Sequence, residues 1–366
     1  MAFHYLRVYD EIKNDIVDGK YKVGEKLPTE IELQNEYGVS RITIKKAMDK
    51  LSEESYVERF SGKGTFVIEK KKQITPSIDK KMIGLVMSGF SSRFGQRFIQ
   101  GVAETANRLG YSLLTGLYYN SADEEKELIE RMIANGAKGI IVMPIHDENL
   151  INMGIVEQVV AKFPIVLVDR YLDSMRLPYV GTDNIEGAFT ATKYLFSLGH
   201  KNIAFVSPIP STTSIKERET GYIKAYAMTN YKVKQSNIIC CLQSGMPGRN
   251  TPENFKTDVE CIKEFLQSNK DVSAILCADS ITMEVCHCAA KELNINVPND
   301  LSLVCFDAAE DRIDANQYTY IHQQEIEMGS VAVNMLNDLI NGTNEVKTVL
   351  LPPKLIIGSS TKEFSK

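Results

Sequence analysis

The side chains best suited to chemistry gather early in the chain. Ser40 can cap a helix in which Ile44, Ala47, Met48 and Leu51 form one apolar face, while Arg41, Thr43, Lys45, Lys46 and Lys50 occupy the other. Ammonium and guanidinium groups on one helix face neutralise phosphates, and an arginine fork can grip a base edge with two parallel bonds. The charge distribution points the same way. Eleven basic and six acidic residues lie between Arg41 and Lys81, whereas residues 82–366 carry 26 basic and 33 acidic ones. A small basic segment joined to an acidic body suggests a polyanion partner, although charge runs are more often solvated surface.

Other reactive residue types form no constellation. Cys286-His287-Cys288 has metal-binding side chains, but a helix turns such neighbours to different faces and no second pair stands at zinc spacing, so no metal is expected. Cys240-Cys241 reads as strand packing, and Gly245-Met246-Pro247-Gly248 as a loop rather than a phosphate cradle. The chain lacks Gly-x-Ser-x-Gly, Walker and zincin motifs, so neither a catalytic residue nor a cofactor is expected.

The elements that must hold the basic face are legible. Tyr5, Tyr9, Ile12 and Ile16 recur at helical spacing, and Gly24-Glu25-Lys26-Leu27-Pro28 interrupts them. Thr29-Glu30-Ile31-Glu32 is a capping box that starts a second helix, and Gly38 suits a left-handed helix end. The third helix follows, then strand-like Tyr56–Phe60 and Thr65–Ile68 joined by Ser61-Gly62-Lys63-Gly64. Residues 1–68 therefore describe a helix-turn-helix with a hairpin wing. Residues 69–81, polar, basic and Pro-containing, read as a linker.

From Met82 onward, apolar strands alternate with amphipathic helices. The strands are Ile83–Met87, Ser112–Thr115, Gly139–Met143, Ile165–Val168, Ile203–Val206, Ala274–Cys277 and Leu301–Phe306. Helices include Phe98–Leu109, Glu124–Asn135, Ala188–Leu198 and Met283–Leu293. Such alternation predicts parallel sheets with right-handed crossovers, and residues 82–366 are enough for two lobes. With 366 residues, 43% apolar and 24% charged, the chain has the composition of an ordinary globular protein of two or three domains. Its apolar runs are far short of the ~20 residues of a membrane helix. The start of the chain carries no signal-peptide core. Seven cysteines, all from Cys240 onward, suit a reducing compartment, so a cytoplasmic protein with no membrane partner is expected.

The run EKLPTEIELQNEYGVSRITIKKAMDKLSEESYVERFSGKGTFV resembles the GntR-type winged helix, with its Leu-Pro-x-Glu step, Gly-Val-Ser-Arg-x-Thr and Gly-x-Gly-Thr-Phe-Val wing in order. Further on, IGLVMSGFSSRFGQRFIQGVAE, PIVLVDRYLDSMRLPYVGTDN, SLGHKNIAFVSP, RETGY, VPNDLSLVCFD and HQQEIEMG are similar to the LacI/GalR-type effector core. That core is itself like the periplasmic sugar-binding proteins. The resemblance implies an α/β fold, an N-terminal winged helix-turn-helix plus a two-lobed periplasmic-binding-protein-like α/β core. The domains would be residues 1–68 for DNA binding, 69–81 as linker and 82–366 for effector binding and dimerisation. The hybrid architecture is that of arabinose-repressor-type sugar regulators.

By this resemblance Ser40, Arg41, Thr43 and Lys45 enter the major groove of double-stranded operator DNA, with Arg41 on guanine. Lys45, a lysine where relatives often carry arginine, contacts either phosphate or base. Glu30 accepts from a cytosine amino group, while Gly62, Lys63 and Gly64 lie at the minor groove. For Glu30 and Thr43 the alternative is purely local, since Thr29 and Glu32 already explain a cap and Thr43 can simply support its helix start. The effector contacts map to Phe94, Gln96, Asp169, Arg218, Asp307 and Gln323. Arg218 and Asp307 would each make two bonds to sugar hydroxyls, and Phe94 would stack on the ring or else pack in the core. Asp183 caps a helix or marks the hinge. Ala278, before Asp279, stands where relatives usually carry a ligand-contacting asparagine. Arg170 and Arg93 would suit a phosphorylated sugar, or be surface residues. The function implied is a homodimeric repressor of carbohydrate-utilisation genes, released from its operator by a small sugar. The alternatives are a purine- or sugar-phosphate-responsive regulator and a sugar-processing enzyme with a vestigial DNA domain.

Overall fold

A computed structural model describes residues 2–69, 81–89, 94–119, 121–145, 152–209, 212–246, 248–307, 318–343 and 345–364. Arg93 and most of the expected linker, residues 70–80, lie outside the described residues. The chain divides into two compact units, Met1–Asp79 and Lys80–Lys366.

In the first unit, α1 (Ala2–Val17), α2 (Glu30–Tyr37) and α3 (Arg41–Glu53) precede an antiparallel hairpin of β1 (Val57–Phe60) and β2 (Gly64–Val67). Local chemistry sets the helix ends. Thr29 Oγ1 accepts from the Glu32 amide at 3.3 Å while the Glu32 carboxylate accepts from the Thr29 amide at 2.7 Å, so two otherwise unpaired donors are satisfied. Gly38 ends α2 at φ 63°, where a side chain would be strained. Ser40 caps α3 by accepting from the Thr43 amide. Val8, Tyr9 and Ile12 of α1 and Leu33 of α2 pack against Ile44, Ala47, Met48 and Leu51 of α3. The α1 stripe differs slightly from the expected one: Val8 is buried, whereas Tyr5 and Ile16 are only half-buried.

The second unit begins with β3 (Met82–Ser88), α4 (Gln96–Arg108), β4 (Ser112–Tyr118), α5 (Ala122–Ala134), β5 (Ala137–Val142), α6 (Met153–Val160), β6 (Ile165–Val168) and β7 (Tyr179–Thr182). The chain then crosses to α7 (Asn184–Ser197), β8 (Ile203–Pro208), α8 (Thr213–Ala227), β9 (Ile238–Leu242), α9 (Pro252–Ser268), β10 (Ala274–Cys277), α10 (Ser280–Glu292), β11 (Ser302–Phe306) and β12 (Thr319–His322). It returns as α11 (Glu325–Ile340) and β13 (Thr348–Leu351), and crosses once more to β14 (Lys354–Ile356). Among the described residues these strands form two six-stranded sheets, ordered β13-β7-β6-β5-β3-β4 and β14-β12-β11-β10-β8-β9. All pairings are parallel except β12 with β14. The two lobes thus repeat one strand order.

The central parallel strands read as apolar runs because helices cover both faces, whereas the edge strand β4 keeps exposed positions. Ile165–Val168 and Ala274–Cys277 are buried throughout. Helix α11 leaves the second lobe to pack on the first. Its Met328, Ala332 and Leu336 join Phe98, Val102 and Ala106 of α4 in one core. Glycines allow the crossing: a Cβ at Gly101 would stand 2.2 Å from the Ile326 carbonyl oxygen, and one at Gly329 2.5 Å from the Phe98 carbonyl oxygen.

Candidate functional site

On the first unit, Ser40, Arg41, Thr43 and Lys45 share the opening turns of α3. The Ser40 and Thr43 hydroxyls are 2.9 Å apart, so Thr43 does take part in the helix start. Arg41 and Lys45 are exposed. Glu30 lies between two arginines, 3.7 Å from Arg41 Nε and 3.8 Å from Arg59 Nη2, and Arg59 also binds Asp49 at 2.7 Å. The carboxylate therefore already has cationic partners on α3 and β1. At the wing tip Gly62 and Gly64 have φ of 74° and 117°, and exposed Lys63 lies between them. A Cβ on Gly64 would meet the movable end of the Lys26 side chain, Cε at 2.4 Å, so it is the backbone conformation at φ 117° that calls for glycine. The result is an exposed basic surface on a three-helix frame with its own packed core.

The second unit holds a cavity of about 90 Å³ at the carboxyl ends of both sheets, lined in part by Phe94, Asp169, Arg218, Asp307 and Gln323. This is where open parallel sheets bind ligands. Asp169 follows β6 and Asp307 follows β11, which are equivalent strands of the two lobes. Both take left-handed backbone conformations, φ 62° and 59°, which cost a non-glycine residue about 1–3 kcal/mol and therefore need local support.

Arg218 projects from α8 and is 4% exposed. Its Nε donates to Asn184 Oδ1 at 2.9 Å, its Nη1 to the Ala278 carbonyl at 2.6 Å, and its guanidinium carbon lies 3.9 Å from the centre of the Phe306 ring. At Ala278 the chain thus offers a main-chain acceptor that orients Arg218. Opposite charge and burial compete at Asp307. Burial pushes its carboxyl up to about 7, while Arg218 and a hydrogen bond from Gln323 Nε2 at 2.8 Å favour the charged form. Gln323 is 2% exposed, and its Oε1 has no hydrogen-bond partner among the described residues. A buried acceptor in a cavity wall is a place for a ligand hydroxyl. Phe94 lines the cavity and stacks on Phe98, with centroids 6.2 Å apart and planes 19° apart.

Gln96 is placed differently from the other five. It opens α4 with its side chain exposed and is not among the lining residues. Two positions earlier, Phe94 is half-buried in the wall. Arg170 does line the cavity, but its Nε is 3.3 Å from the Asp169 carboxylate, so its charge is already partnered. Asp183 caps α7 at the first crossing between lobes by accepting from the Glu186 amide at 2.9 Å.

Several supporting residues escaped the sequence reading. Asn184 holds both Arg218 and Glu217, the latter at 3.1 Å, and Tyr171 donates to Glu217 at 3.0 Å. Burial raises the Glu217 carboxyl above its usual range. Glu325 accepts from the Gly95 and Phe98 amides at 2.9 and 3.3 Å, tying the start of α4 to the start of α11. Asp279 caps α10, and burial raises its carboxyl too. The adjacency of Glu217 to Arg218 was the one local sign of this network.

Residues 4–67 match the family of bacterial regulatory proteins, gntR family, and residues 83–344 match the periplasmic binding protein domain. The arabinose metabolism transcriptional repressor of Geobacillus stearothermophilus is 29% identical, over 98% of this chain and 98% of that protein. The HTH-type transcriptional repressor PurR of Pasteurella multocida is 27% identical, over 77% of this chain and 81% of its own. Among solved structures, the transcriptional regulator CelR in complex with cellobiose superposes with a TM-score of 0.66 at 21% identity, covering 88% of this chain and 91% of that one. Transcription regulator CcpA of Lactococcus lactis gives 0.66 at 18% identity, over 77% and 100%. Among the described residues no helix is long and apolar enough to cross a membrane.

Proposed function

We infer from its place in the periplasmic binding protein domain family, to which this chain belongs, and from its gntR-family N-terminal domain, that it is a DNA-binding transcription repressor of carbohydrate-utilisation genes. Residues 1–68 bind the operator, 69–81 link, and 82–366 take up the effector and dimerise in the cytoplasm. Two winged helices of a homodimer then meet a near-palindromic site, with Arg41 reading guanine and Lys45 and Lys63 neutralising phosphate. Glu30 tethers Arg41 until a base edge replaces it.

The observation that carries the effector reading is the convergence of buried Arg218, the Asp307–Gln323 pair and Asp169 on one small cavity. Donors and acceptors at close quarters, with the Phe94 ring beside them, match the alternating hydroxyls and apolar face of a sugar. The pairing of Arg170 with Asp169 favours an uncharged sugar over a phosphorylated one. The sugar releases the repressor by binding one arrangement of the lobes more tightly than the other, since only differential affinity shifts such an equilibrium. No nucleophile–base pair is called for: the protein acts as a regulator, not an enzyme.

The test is a thermal-shift series on the full chain with pentoses, hexoses, their phosphates and purines. A true effector at 100 times its Kd raises stability by about 2.7 kcal/mol. That same compound must then lower the affinity of the protein for DNA selected from a random pool. Stabilisation by a purine alone, or turnover of any sugar, would overturn the reading.

A further inference from the structure

The second lobe brings two thiols together outside the effector cavity. Cys241 lies on β9, the outermost strand of its sheet, and Cys261 lies on α9, with their sulfurs 3.6 Å apart. Both are free thiols; Cys241 is exposed and Cys261 half-buried. Successive strand residues face opposite sides, and neighbouring Cys240 is turned away, its sulfur 4.0 Å from the Glu219 carboxylate. The chain between the paired thiols contributes Gly245 and Met246 to the cavity wall. Asp258, one turn before Cys261 on α9, fastens the start of that same segment. Its carboxylate accepts from the Gln243 amide at 2.9 Å, the Ser244 amide at 2.7 Å and the Ser244 hydroxyl at 2.6 Å.

We propose that Cys241 and Cys261 form an oxidation site at which a hydroperoxide closes an intramolecular disulfide, and that this cross-link clamps the cavity wall at residues 243–246. The cross-link stands without the sugar reading; only its consequence for ligand binding rests on it. Burial pushes the Cys261 thiol up to about 12, so exposed Cys241 meets the oxidant first. The Cys241 thiol gives up its proton and the thiolate attacks one oxygen of hydrogen peroxide; the O–O bond breaks, the leaving hydroxide takes up that proton, and a sulfenic acid and water result. The Cys261 sulfur then attacks the Cys241 sulfur. The S–S bond forms, the S–O bond breaks, and a second water leaves with the Cys261 proton. Two thiols lose two electrons in total and the peroxide gains them. The sulfurs must approach from 3.6 Å to about 2.05 Å. Val259, Ile262 and Leu266 hold α9 on the sheet, so the approach is passed along α9 to Asp258 and from there to the amides it holds.

The experiment uses the full chain, reduced and then treated with equimolar hydrogen peroxide. Titratable thiols are expected to fall from seven to five. Peptide mapping without reductant should find the Cys241 peptide joined to the Cys261 peptide, and dithiothreitol should reverse both changes. Cys241→Ser and Cys261→Ser should each abolish the cross-link while remaining folded by thermal melting. In the cross-linked protein, amide hydrogen exchange at residues 243–246 should slow by about threefold or more. A Cys240–Cys241 bond, a bond between two chains, or Cys241 oxidised with Cys261 still free would overturn the assignment. A cross-link that leaves exchange at 243–246 unchanged would overturn the clamp.

Discussion

Replacing Arg218 with alanine should silence the effector while sparing DNA binding. The guanidinium is buried, held by Asn184 and the Ala278 carbonyl and set against Phe306. Two of its five N–H groups are engaged in those bonds, and alanine removes every donor it would offer to a sugar. A hydrogen bond from a charged group contributes about 1.5–3 kcal/mol, so effector affinity should fall roughly 10- to 150-fold. A second effect adds to this. Arg218 opposes the burial that raises the Asp307 carboxyl, so without it Asp307 holds its proton to higher pH and offers ligand hydroxyls a poorer acceptor. Leaving Asn184 Oδ1 and the Ala278 carbonyl unpaired costs about 1–3 kcal/mol each in stability, so melting is measured in parallel and the assay is run well below the variant's Tm. The readout is fluorescence anisotropy of labelled operator, with and without effector, beside calorimetric ligand Kd. Operator affinity should match wild type within about twofold, because the phosphate-binding charges are assigned to residues 41–81 and Arg218 lines the effector cavity. A folded variant that still binds the effector at wild-type Kd would refute the placement of Arg218 in the site.

Arg41→Ala should weaken operator binding by about 1–3 kcal/mol; an unchanged ratio of operator to random-DNA affinity in gel shifts would rule out base reading. Ser40→Ala removes the α3 cap and should cost about 1 kcal/mol in urea unfolding of the N-terminal unit. For Asp307 the folded carboxyl is pushed up to about 7 from an ordinary value near 3.8. The folded state thus binds the proton more tightly, and the associated stability, at most about 4 kcal/mol, is present below pH ~4 and lost as pH rises through 7. Asp307→Asn should flatten that decline, and parallel pH–stability curves for the two proteins would contradict the assignment. Residues 1–68 alone should fold yet remain monomeric by light scattering, and bind operator weakly, because dimerisation is assigned to residues 82–366.

The N-terminal unit was readable because its decisive interactions are local. Thr29 with Glu32, Gly38, and Ser40 with Thr43 all act within three or four residues. The apolar runs Ile165–Val168 and Ala274–Cys277 match β6 and β10 residue for residue, since a strand buried on both faces shows its bounds in composition. Strands β7, β12, β13 and β14 were not foreseen. They are three or four residues long, and β13 and β14 lie at sheet edges with mostly exposed or half-buried residues, Leu351 excepted. Their place follows from the crossings between lobes, which no window of sequence contains. The same holds for the site. Arg218 and Asp307 came from resemblance, but the Asn184–Arg218 bond spans 34 residues and the Gly95–Glu325 bond 230. Gln96 shows the limit of position-by-position transfer: a shift of two residues at the mouth of a helix separates a wall residue from an exposed one.

The path of the chain through the two lobes also sets an order of events at the ribosome. Strands β3 to β7 are complete by Thr182, yet their sheet lacks its edge strand until Leu351 and its α4 lacks its covering helix until Ile340. At about 5–20 residues per second, that delay is roughly ten to thirty seconds. During it the apolar faces of Phe98, Val102 and Ala106 await their partner while the whole second lobe is made. The DNA-binding unit, finished by Val67, needs none of this. A chain cut short anywhere in the second lobe therefore carries a folded reading head on a body that cannot close. Such a fragment offers nascent-chain chaperones a sticky half-sheet and, if it escapes them, leaves a winged-helix head without the body to which dimerisation and effector uptake are assigned.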